Sequence, residues 1–271
     1  MKIIFIGDIV ARLGRQTVKK ILPSLRQELK PDFVIANAEN LAGGRGVTAA
    51  TLDEMLQTGI DYFTSGNHVF FQEGWQELLT DPSFRLLRPA NYPASVPGVG
   101  WRVIGEKGSK LLLINLQGRI SFNQEGTTLT DPFFTLEEIL TATKKEKIDA
   151  ILVDFHAEAT SEKLAFAFYF DGKVSAVVGT HTHVPTADAR ILPQGTAYVT
   201  DVGMTGALNS VLGVKKEIIW QQLRLPYRQK FVWARHGPTI IATVFIETIN
   251  KNKSKSIVRY DRIKEKLDFS T

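Results

Sequence analysis

The chain opens with Lys2-Ile3-Ile4-Phe5-Ile6-Gly7-Asp8, a short apolar run that ends at a glycine and a carboxylate. Such runs, rich in β-branched residues, are typical of a buried strand. Apolar residues then recur at helical spacing over residues 18–29, and a second apolar run occupies residues 33–36. Strand, helix and strand in this order predict a βαβ unit, in which the two strands are parallel.

The same alternation continues along most of the chain. Helices are predicted to begin at the caps Thr48 and Thr135, and further strands are predicted at residues 62–64, 111–115, 150–155 and 174–178. Beyond Val184 the runs form pairs typical of antiparallel strands, at residues 189–192, 197–200, 240–249 and 257–260. The pattern predicts a mixed α/β layered fold, and the absence of a linker-like tract predicts a single domain over residues 1–271.

Composition excludes several classes of protein. The chain has 271 residues, 44% of them hydrophobic, and no cysteine, which excludes disulfides, thiolate nucleophiles and cysteine-ligated metals. Neither a signal-peptide cleavage region nor an apolar span of about 18 residues occurs, which predicts a cytoplasmic protein with no membrane partner. The net charge of +5 favours nucleic acid or anionic ligands, but the basic residues are spread widely.

Residue types that bind metals stand at or just after the ends of predicted strands. They are Asp8, Glu39-Asn40, Asn67-His68, His156, and the pair His181 and His183. Because parallel strands bring their carboxyl ends to one edge of a sheet, we expect these side chains to converge there. Two carboxylates, amide oxygens and neutral imidazoles exceed the ligand shell of one tetrahedral zinc and suit two metals that share a carboxylate.

The segment His181-Thr182-His183 is predicted to be extended, and the following Val184 is held out of the helical region by Pro185. Alternation along an extended backbone places both imidazoles on one side and Thr182 on the other. Taken alone, each candidate also has a structural explanation. Asp8 fits a turn cap, Glu39-Asn40 and Asn67-His68 fit turns, and His156 fits a buried core histidine. His236 is given no functional role.

Four strings resemble motifs of the calcineurin-like metallophosphoesterases, namely Gly7-Asp8, Asn37-Ala38-Glu39-Asn40, Gly66-Asn67-His68 and Gly179-Thr180-His181-Thr182-His183. Blocks at residues 37–46, 154–163 and 201–206 resemble one subgroup, the bacterial YmdB-type phosphodiesterases, and the similarity runs from Met1 to about Arg262. The superfamily's Asp-x-His is replaced by Asp8-Ile9-Val10, and Glu39 replaces its bridging Asp. Both changes are features of this subgroup.

The resemblance implies a four-layer αββα sandwich with two mixed sheets and a site for two divalent or trivalent metal ions. It implies that Asp8, Glu39, Asn40 and His183 hold the first metal, and that Glu39, Asn67, His156 and His181 hold the second. Glu39 is then the bridge, and His68 is the catalytic residue that protonates the leaving alkoxide. The resemblance points to iron or manganese, and mixed oxygen and nitrogen ligands also accept zinc or cobalt.

The implied activity is hydrolysis of 2′,3′-cyclic nucleotides by a hydroxide that bridges the metals, with 3′,5′-cyclic nucleotides as further candidates. A phosphomonoesterase, a nuclease acting on RNA ends, and a regulator that binds a nucleotide or partner without turnover stay open as alternatives. An RNA-related link and a homo-oligomer also stay open. Residues 43–46 and 118–131 are candidate lids. Phe70, Phe71 and Trp75 are predicted to pack a helix, and an interface is the alternative.

Overall fold

Strands and helices alternate along the chain, as the apolar pattern predicts. The structure, a computed structural model, describes residues 1–105, 109–122 and 128–265. The described strands are β1 (Lys2–Ile6), β2 (Phe33–Asn37), β3 (Tyr62–Thr64), β4 (Trp101–Ile104), β5 (Leu111–Gln117), β6 (Ala150–His156), β7 (Ala176–Thr180), β8 (Arg190–Ile191), β9 (Ala197–Val199), β10 (Gly206–Ala207), β11 (Thr239–Ile241), β12 (Thr243–Asn250), β13 (Lys253–Arg259) and β14 (Arg262–Lys264). The described α-helices are α1 (Ala11–Leu29), α2 (Ala49–Gln57), α3 (Trp75–Thr80), α4 (Pro132–Ala142), α5 (Thr160–Tyr169) and α6 (Lys216–Arg224), and 3₁₀ helices occupy Asn67–Phe70 and Pro82–Phe84.

The first sheet has the order β13-β12-β1-β2-β3. Strands β1, β2 and β3 are parallel, with Ile4 opposite Val34 and Ala36 opposite Phe63, which confirms the predicted βαβ unit. Strand β12 pairs antiparallel with β1, so the sheet is mixed.

The second sheet has the order β4-β5-β6-β7-β9-β8. Strands β5, β6, β7 and β9 are parallel, and β4 and β8 are antiparallel to their neighbours. The predicted antiparallel pairing after Val184 is confirmed, with Arg190 opposite Tyr198 and Ile246 opposite Ile257. In addition to the two predicted mixed sheets, β10, β11 and β14 form a small antiparallel sheet.

The two large sheets pack face to face and carry helices on their outer faces. Because side chains alternate across a strand, neighbouring residues enter different layers. Ile4 packs in a cluster with α1 and α2, whereas Phe5 packs in a cluster with Leu152 between the sheets. Val153 packs in a third cluster with α4 and α5. This arrangement confirms the αββα sandwich. No helix in the described ranges combines the length and the apolar surface that a membrane span requires.

Several predicted elements differ in their bounds; the strand predicted at residues 174–178 is β7 at Ala176–Thr180, and the strand predicted at residues 257–260 is β13 at Lys253–Arg259. Helix α4 begins at Pro132 because Asp131 is its cap, accepting a hydrogen bond from the Phe133 backbone N–H at 2.8 Å. The prediction that Thr135 caps this helix is wrong. Thr135 lies in the first turn, where its hydroxyl donates to the Asp131 carbonyl at 2.9 Å. The predicted strand at residues 240–249 is two strands, β11 and β12, which belong to different sheets.

Candidate metal centre

The carboxyl ends of strands from both large sheets lie around one site. Strand β1 leads to Asp8, β2 leads to Glu39 and Asn40, and β3 leads to the 3₁₀ helix that begins with Asn67 and His68. From the second sheet, β6 ends at His156, and β7 leads to His181 and His183. Each predicted ligand lies within hydrogen-bonding or ion-pair distance of another member of the set. The structure therefore brings all of these residues together.

Asp8, Glu39 and His183 form the first group of candidate ligands. One ligand atom from each lies within 4.8 Å of the others. His183 Nε2 is 3.9 Å from Asp8 Oδ1 and 3.3 Å from the side-chain oxygen of Asn40. Two carboxylates, an amide oxygen and an imidazole are a donor set that suits a divalent transition metal.

Glu39, His156 and His181 form the second group, again with one ligand atom from each within 4.8 Å of the others. Glu39 Oε2 is 3.2 Å from His156 Nε2. The same nitrogen is 3.1 Å from His181 Nδ1 and 3.3 Å from the side-chain oxygen of Asn67. Glu39 belongs to both groups, so one carboxylate adjoins both sets of candidate ligands.

Asp8 provides a test of whether these residues fit metal ions. Its carboxylate is completely buried, and Oδ1 accepts no hydrogen bond from the described residues. A buried carboxylate oxygen without a partner is unfavourable, and coordination to a cation removes that cost. The donor set and this unpartnered oxygen both fit the divalent metals that a metallophosphoesterase fold implies.

The electrostatics of the site favour bound positive charge. Burial raises the pKa of Asp8 well above its usual range. Burial acts in the same direction on Glu39, but the charges and hydrogen bonds of His156 and His68 hold the pKa of Glu39 well below its usual range. Burial lowers the pKa of His156, yet Glu39 and Asp8 outweigh this effect and raise it to about 9. A proton and a metal ion therefore compete for His156.

His181 and His183 leave β7 on a backbone that is not extended. The angle φ is 101° at His181 and 64° at His183, in the left-handed region that residues other than glycine rarely adopt. The prediction of an extended segment is therefore wrong. His181 and His183 join different groups of candidate ligands, the same division that the resemblance implies. Each such conformation costs about 1–3 kcal/mol, so the surrounding structure must hold it in place.

A buried ion pair holds the chain on both sides of His181. Asp201 Oδ2 accepts hydrogen bonds from Lys163 Nζ at 2.7 Å and from the Thr182 backbone N–H at 3.0 Å. Lys163 Nζ also donates to the Thr180 carbonyl at 2.8 Å. Lys163 and Asp201 are both buried. The pair thus connects α5 to the two residues that flank His181.

Sequence reasoning gave no role to Lys163, Asp201 or Glu158, although all three lie in blocks that resemble the YmdB-type proteins. Lys163 precedes the buried Phe166 and Ala167 of α5 by the spacing of one helix face, so a lysine on an apolar face was an available signal. Asp201 begins a block that resembles the YmdB-type proteins, but nothing in the sequence pairs it with Lys163, which is 38 residues away. Glu158 Oε2 lies 3.0 Å from His181 Nε2, which leaves His181 Nδ1 to face the second group.

Hydrogen bonds determine which nitrogen of His156 faces Glu39. The Thr180 hydroxyl donates to Asp154 Oδ1 at 2.7 Å, so its oxygen is available to accept from His156 Nδ1 at 2.9 Å. This places the proton of the neutral imidazole on Nδ1 and leaves Nε2 free to bind a metal. Asp154 also accepts from the Thr64 hydroxyl at 2.5 Å.

Replacing Thr180 with valine is expected to weaken metal binding by about 10- to 100-fold, the usual effect of removing such a supporting hydrogen bond. Valine keeps the shape of threonine but cannot accept from His156 or donate to Asp154. Calorimetric titration with Mn²⁺ measures the change, and Thr180→Ser, which retains the hydroxyl, is the control. An unchanged affinity in the valine variant contradicts this orienting role.

His68 lies beside both ligand groups. Its Nδ1 is 3.3 Å from Glu39 Oε1 and 3.4 Å from the side-chain nitrogen of Asn40, and its side chain is 28% exposed. Gly66, two residues before His68, permits the close approach of the chain to His156 and Glu39, because a Cβ there would lie 2.2 Å from His156 Nε2 and 2.4 Å from Glu39 Oε2. His68 therefore lies beside the candidate metal centre, and an imidazole can both donate and accept a proton.

The sequence matches the YmdB-like protein family over residues 4–260, which is almost the whole chain. This chain belongs to the YmdB-like family. The YmdB-like chain is 43% identical over 263 residues to the 2′,3′-cyclic-nucleotide 2′-phosphodiesterase of Bacillus subtilis (strain 168). That match covers 97% of this chain and 96% of the relative. The resemblance to the YmdB-type proteins is confirmed.

Solved structures agree with the YmdB-like fold. A hypothetical protein from Thermus thermophilus is 38% identical, with a TM-score of 0.88 and coverage of 98% of this chain and 100% of that one. A phosphatase from Mycoplasma pneumoniae is 34% identical, with a TM-score of 0.89 and coverage of 98% and 94%. These comparisons confirm the predicted metallophosphoesterase architecture.

The structure also locates the two candidate lids and the aromatic residues Phe70, Phe71 and Trp75 of the YmdB-like chain. The candidate lid at residues 43–46 adjoins the site, since the Asn40 side-chain nitrogen donates to the Gly44 carbonyl at 3.0 Å. Within the other candidate lid, residues 123–127 lie outside the described ranges, and the Phe122 ring is 4.8 Å from the His181 ring. Phe70 and Trp75 pack as predicted with ring centroids 5.1 Å apart, whereas Phe71 is exposed.

Proposed function

We propose that this chain is a metal-dependent phosphodiesterase that opens 2′,3′-cyclic nucleotides at the 2′ oxygen. The observation that carries the proposal is the position of Glu39, which is shared by two adjoining groups of metal-binding side chains. The name of the B. subtilis relative supports the substrate class. The dimetal mechanism, activity on 3′,5′-cyclic nucleotides and a single catalytic domain over residues 1–271 are parts of the same proposal.

In this proposal Asp8, Glu39, Asn40 and His183 hold one ion. The other ion is held by Glu39 together with Asn67, His156 and His181. When bound, the two ions neutralise phosphate charge and supply hydroxide near neutral pH. Iron or manganese is the proposed occupant, and the mixed oxygen and nitrogen ligands also suit zinc or cobalt.

His68 provides the proton in the proposed reaction. The bond between phosphorus and the 2′ oxygen breaks, and the departing alkoxide is a poor leaving group unless it is protonated. His68 is partly exposed and is held at its inner side by Glu39 and Asn40, so its ring is positioned at the rim of the metal groups. Protonation of the 2′ oxygen leaves a 3′-phosphomonoester as the product.

The test is hydrolysis of 2′,3′-cyclic AMP by protein loaded with Mn²⁺ or Fe²⁺, with the product identified by chromatography. We expect 3′-AMP, loss of turnover after treatment with EDTA, and recovery when the metal is restored. Bound metal is counted by elemental analysis in each sample. Two bound ions per chain with no turnover of the cyclic nucleotide contradict the proposal.

A second candidate function is phosphomonoester hydrolysis by the same site. One observation favours it, namely the 34% identity to the M. pneumoniae protein that is described as a phosphatase. Release of phosphate from 3′-AMP in the same assay distinguishes the two activities, because a diesterase stops at the monoester.

A further inference from the structure

Two grooves adjoin the loop formed by residues 41–46. One has a volume of about 600 Å³ and is lined in part by Arg12, Trp233 and Arg235. The other has a volume of about 700 Å³ and is lined in part by Arg45, Arg228 and Phe231. Gly43 and Trp233 line both, so the grooves are neighbours, and we refer to them together as the basic groove. Each alone has the volume of a complete small-molecule site.

The lining of the basic groove carries charge of one sign. Among its described lining residues are six arginine or lysine side chains, three in each part, and no aspartate or glutamate. Arg15 pairs with Glu54 at 2.7 Å, and no ion pair between described residues involves the other five, Arg12, Arg45, Arg228, Lys230 and Arg235. Such a surface is complementary to a polyanion.

Exposed aromatic rings lie among these cations. Phe71 is 60% exposed and Phe231 is 40% exposed. The guanidinium of Arg45 lies over both rings, 5.6 Å from the centroid of Phe71 and 5.8 Å from that of Phe231. Exposed rings interleaved with cations are typical of surfaces that bind single-stranded nucleic acid, since bases stack on the rings while the cations contact phosphates.

The basic groove begins next to the candidate metal centre. The Asn40 side chain donates to the Gly44 carbonyl, and the Asn40 carbonyl accepts from the Ala11 backbone N–H at 2.9 Å. Trp233 packs directly on Gly44, where a Cβ would lie 2.1 Å from its ring. Ala11 and Trp233 both line the groove. Asn40 is a candidate metal ligand, so the lining of the groove lies one contact away from the candidate metal centre.

We infer that the basic groove binds the single-stranded RNA that leads to a terminal 2′,3′-cyclic phosphate, so that an RNA end is a substrate of this site. The inference rests on the proposed phosphodiesterase function. The reaction at phosphorus is the same as for a free 2′,3′-cyclic nucleotide. Hydroxide from water adds to phosphorus, the bond to the 2′ oxygen breaks, and that oxygen takes the proton, leaving an RNA with a 3′-phosphate. The cyclic group requires a ribose, which excludes DNA.

The test compares two substrates of metal-loaded full-length protein. They are a ten-nucleotide single-stranded RNA that ends in adenosine 2′,3′-cyclic phosphate, and free 2′,3′-cyclic AMP. We expect a lower KM for the RNA and a KM that rises with salt for the RNA only. For the double variant Arg228→Ala/Lys230→Ala, we expect the logarithmic salt dependence of RNA binding to fall by about 1.4, or about 0.7 for each phosphate that the protein no longer neutralises.

Phe71→Ala tests the stacking contribution separately. We expect about 5- to 150-fold weaker RNA binding, which corresponds to about 1–3 kcal/mol for one base stacked on an aromatic ring. The control for the double variant Arg228→Ala/Lys230→Ala is Lys144→Ala/Lys145→Ala. It removes the same charge from an exposed turn after α4. Melting curves and light scattering are recorded for every variant to detect a change in folding or oligomeric state.

The outcomes separate this inference from the proposed function. Equal KM values for the two substrates, with hydrolysis of both, overturn the inference and leave the phosphodiesterase function intact. Equal losses in the groove variant and the lysine control also overturn it, because net charge then explains the effect. A groove variant that changes the oligomeric state and affects both substrates equally overturns it too, and identifies the surface as an interface between copies. Failure to hydrolyse either substrate with metals bound removes the proposed function itself.

Discussion

Replacing His68 with alanine is expected to lower the turnover of 2′,3′-cyclic AMP by about 10²–10⁴-fold, the range for loss of a positioned general acid. His68 contacts Glu39 and Asn40 but belongs to neither group of three candidate metal ligands. The variant should therefore retain its metal ions while losing the proton donor. Steady-state kinetics and elemental analysis of the same preparation measure both properties.

The leaving group provides the control for this prediction. A diester that releases p-nitrophenol does not need protonation of its leaving oxygen, so His68→Ala should lose much less activity on it than on 2′,3′-cyclic AMP. Equal losses on the two substrates indicate that His68 binds phosphate or supports the metals. Unchanged turnover of 2′,3′-cyclic AMP removes His68 from the mechanism.

Replacing Lys163 with methionine is expected to destabilise the protein by about 3–5 kcal/mol, because it leaves Asp201 charged in the interior without its partner. Asp201 and Lys163 are both buried, and their closest nitrogen and oxygen atoms are 2.7 Å apart. For a chain of this size we expect the melting temperature to fall by roughly 6–20 °C. Calorimetric or circular dichroism melting curves measure the change.

Two further variants show whether the missing charge is the cause. Lys163→Met combined with Asp201→Asn removes both charges and should recover part of the lost stability, since no unpaired ion stays buried. Lys20→Met removes an exposed lysine from α1 and should change stability by no more than about 0.5 kcal/mol. A single Lys163 variant as stable as the Lys20 variant contradicts the prediction.

The ion pair also links stability to the metal centre. Lys163 and Asp201 hold Thr180 and Thr182, the neighbours of His181, and His181 has an unfavourable positive φ. Loss of the pair should therefore allow this segment to relax toward commoner conformations, with weaker metal binding as the consequence. The structure thus couples the buried pair of Lys163 and Asp201 to the position of the candidate ligands His181 and His183.

The spacing of apolar residues predicts most of the strands and helices, and the polar residues that follow the strands predict the candidate site. The run at residues 2–6 correctly predicts β1, and the apolar spacing of residues 18–29 correctly predicts the second part of α1, because local periodicity reports which face of an element is buried. Asp8, Glu39 and His156 were singled out because carboxyl ends of strands in such sheets share an edge. Their metal roles stay predictions, although the structure brings them together as expected.

Local signals also misled at two positions. Thr135 has the character of a helix cap, but Asp131 and Pro132 provide a stronger start one turn earlier. His181-Thr182-His183 was expected to be extended because of the nearby proline, whereas both histidines have positive φ. Contacts from Lys163 and Asp201 decide that conformation, and no propensity of the segment itself indicates it.

The sequence by itself determined the layered α/β fold, the family and the residue types of the candidate centre, since these follow from short-range patterns and motif spacing. Only the tertiary structure decided which groups share Glu39, how Thr180 orients His156, and that Arg12, Arg45 and Arg228 line one groove. These residues come from distant parts of the chain. Their proximity depends on the packing of two sheets, which no local pattern records.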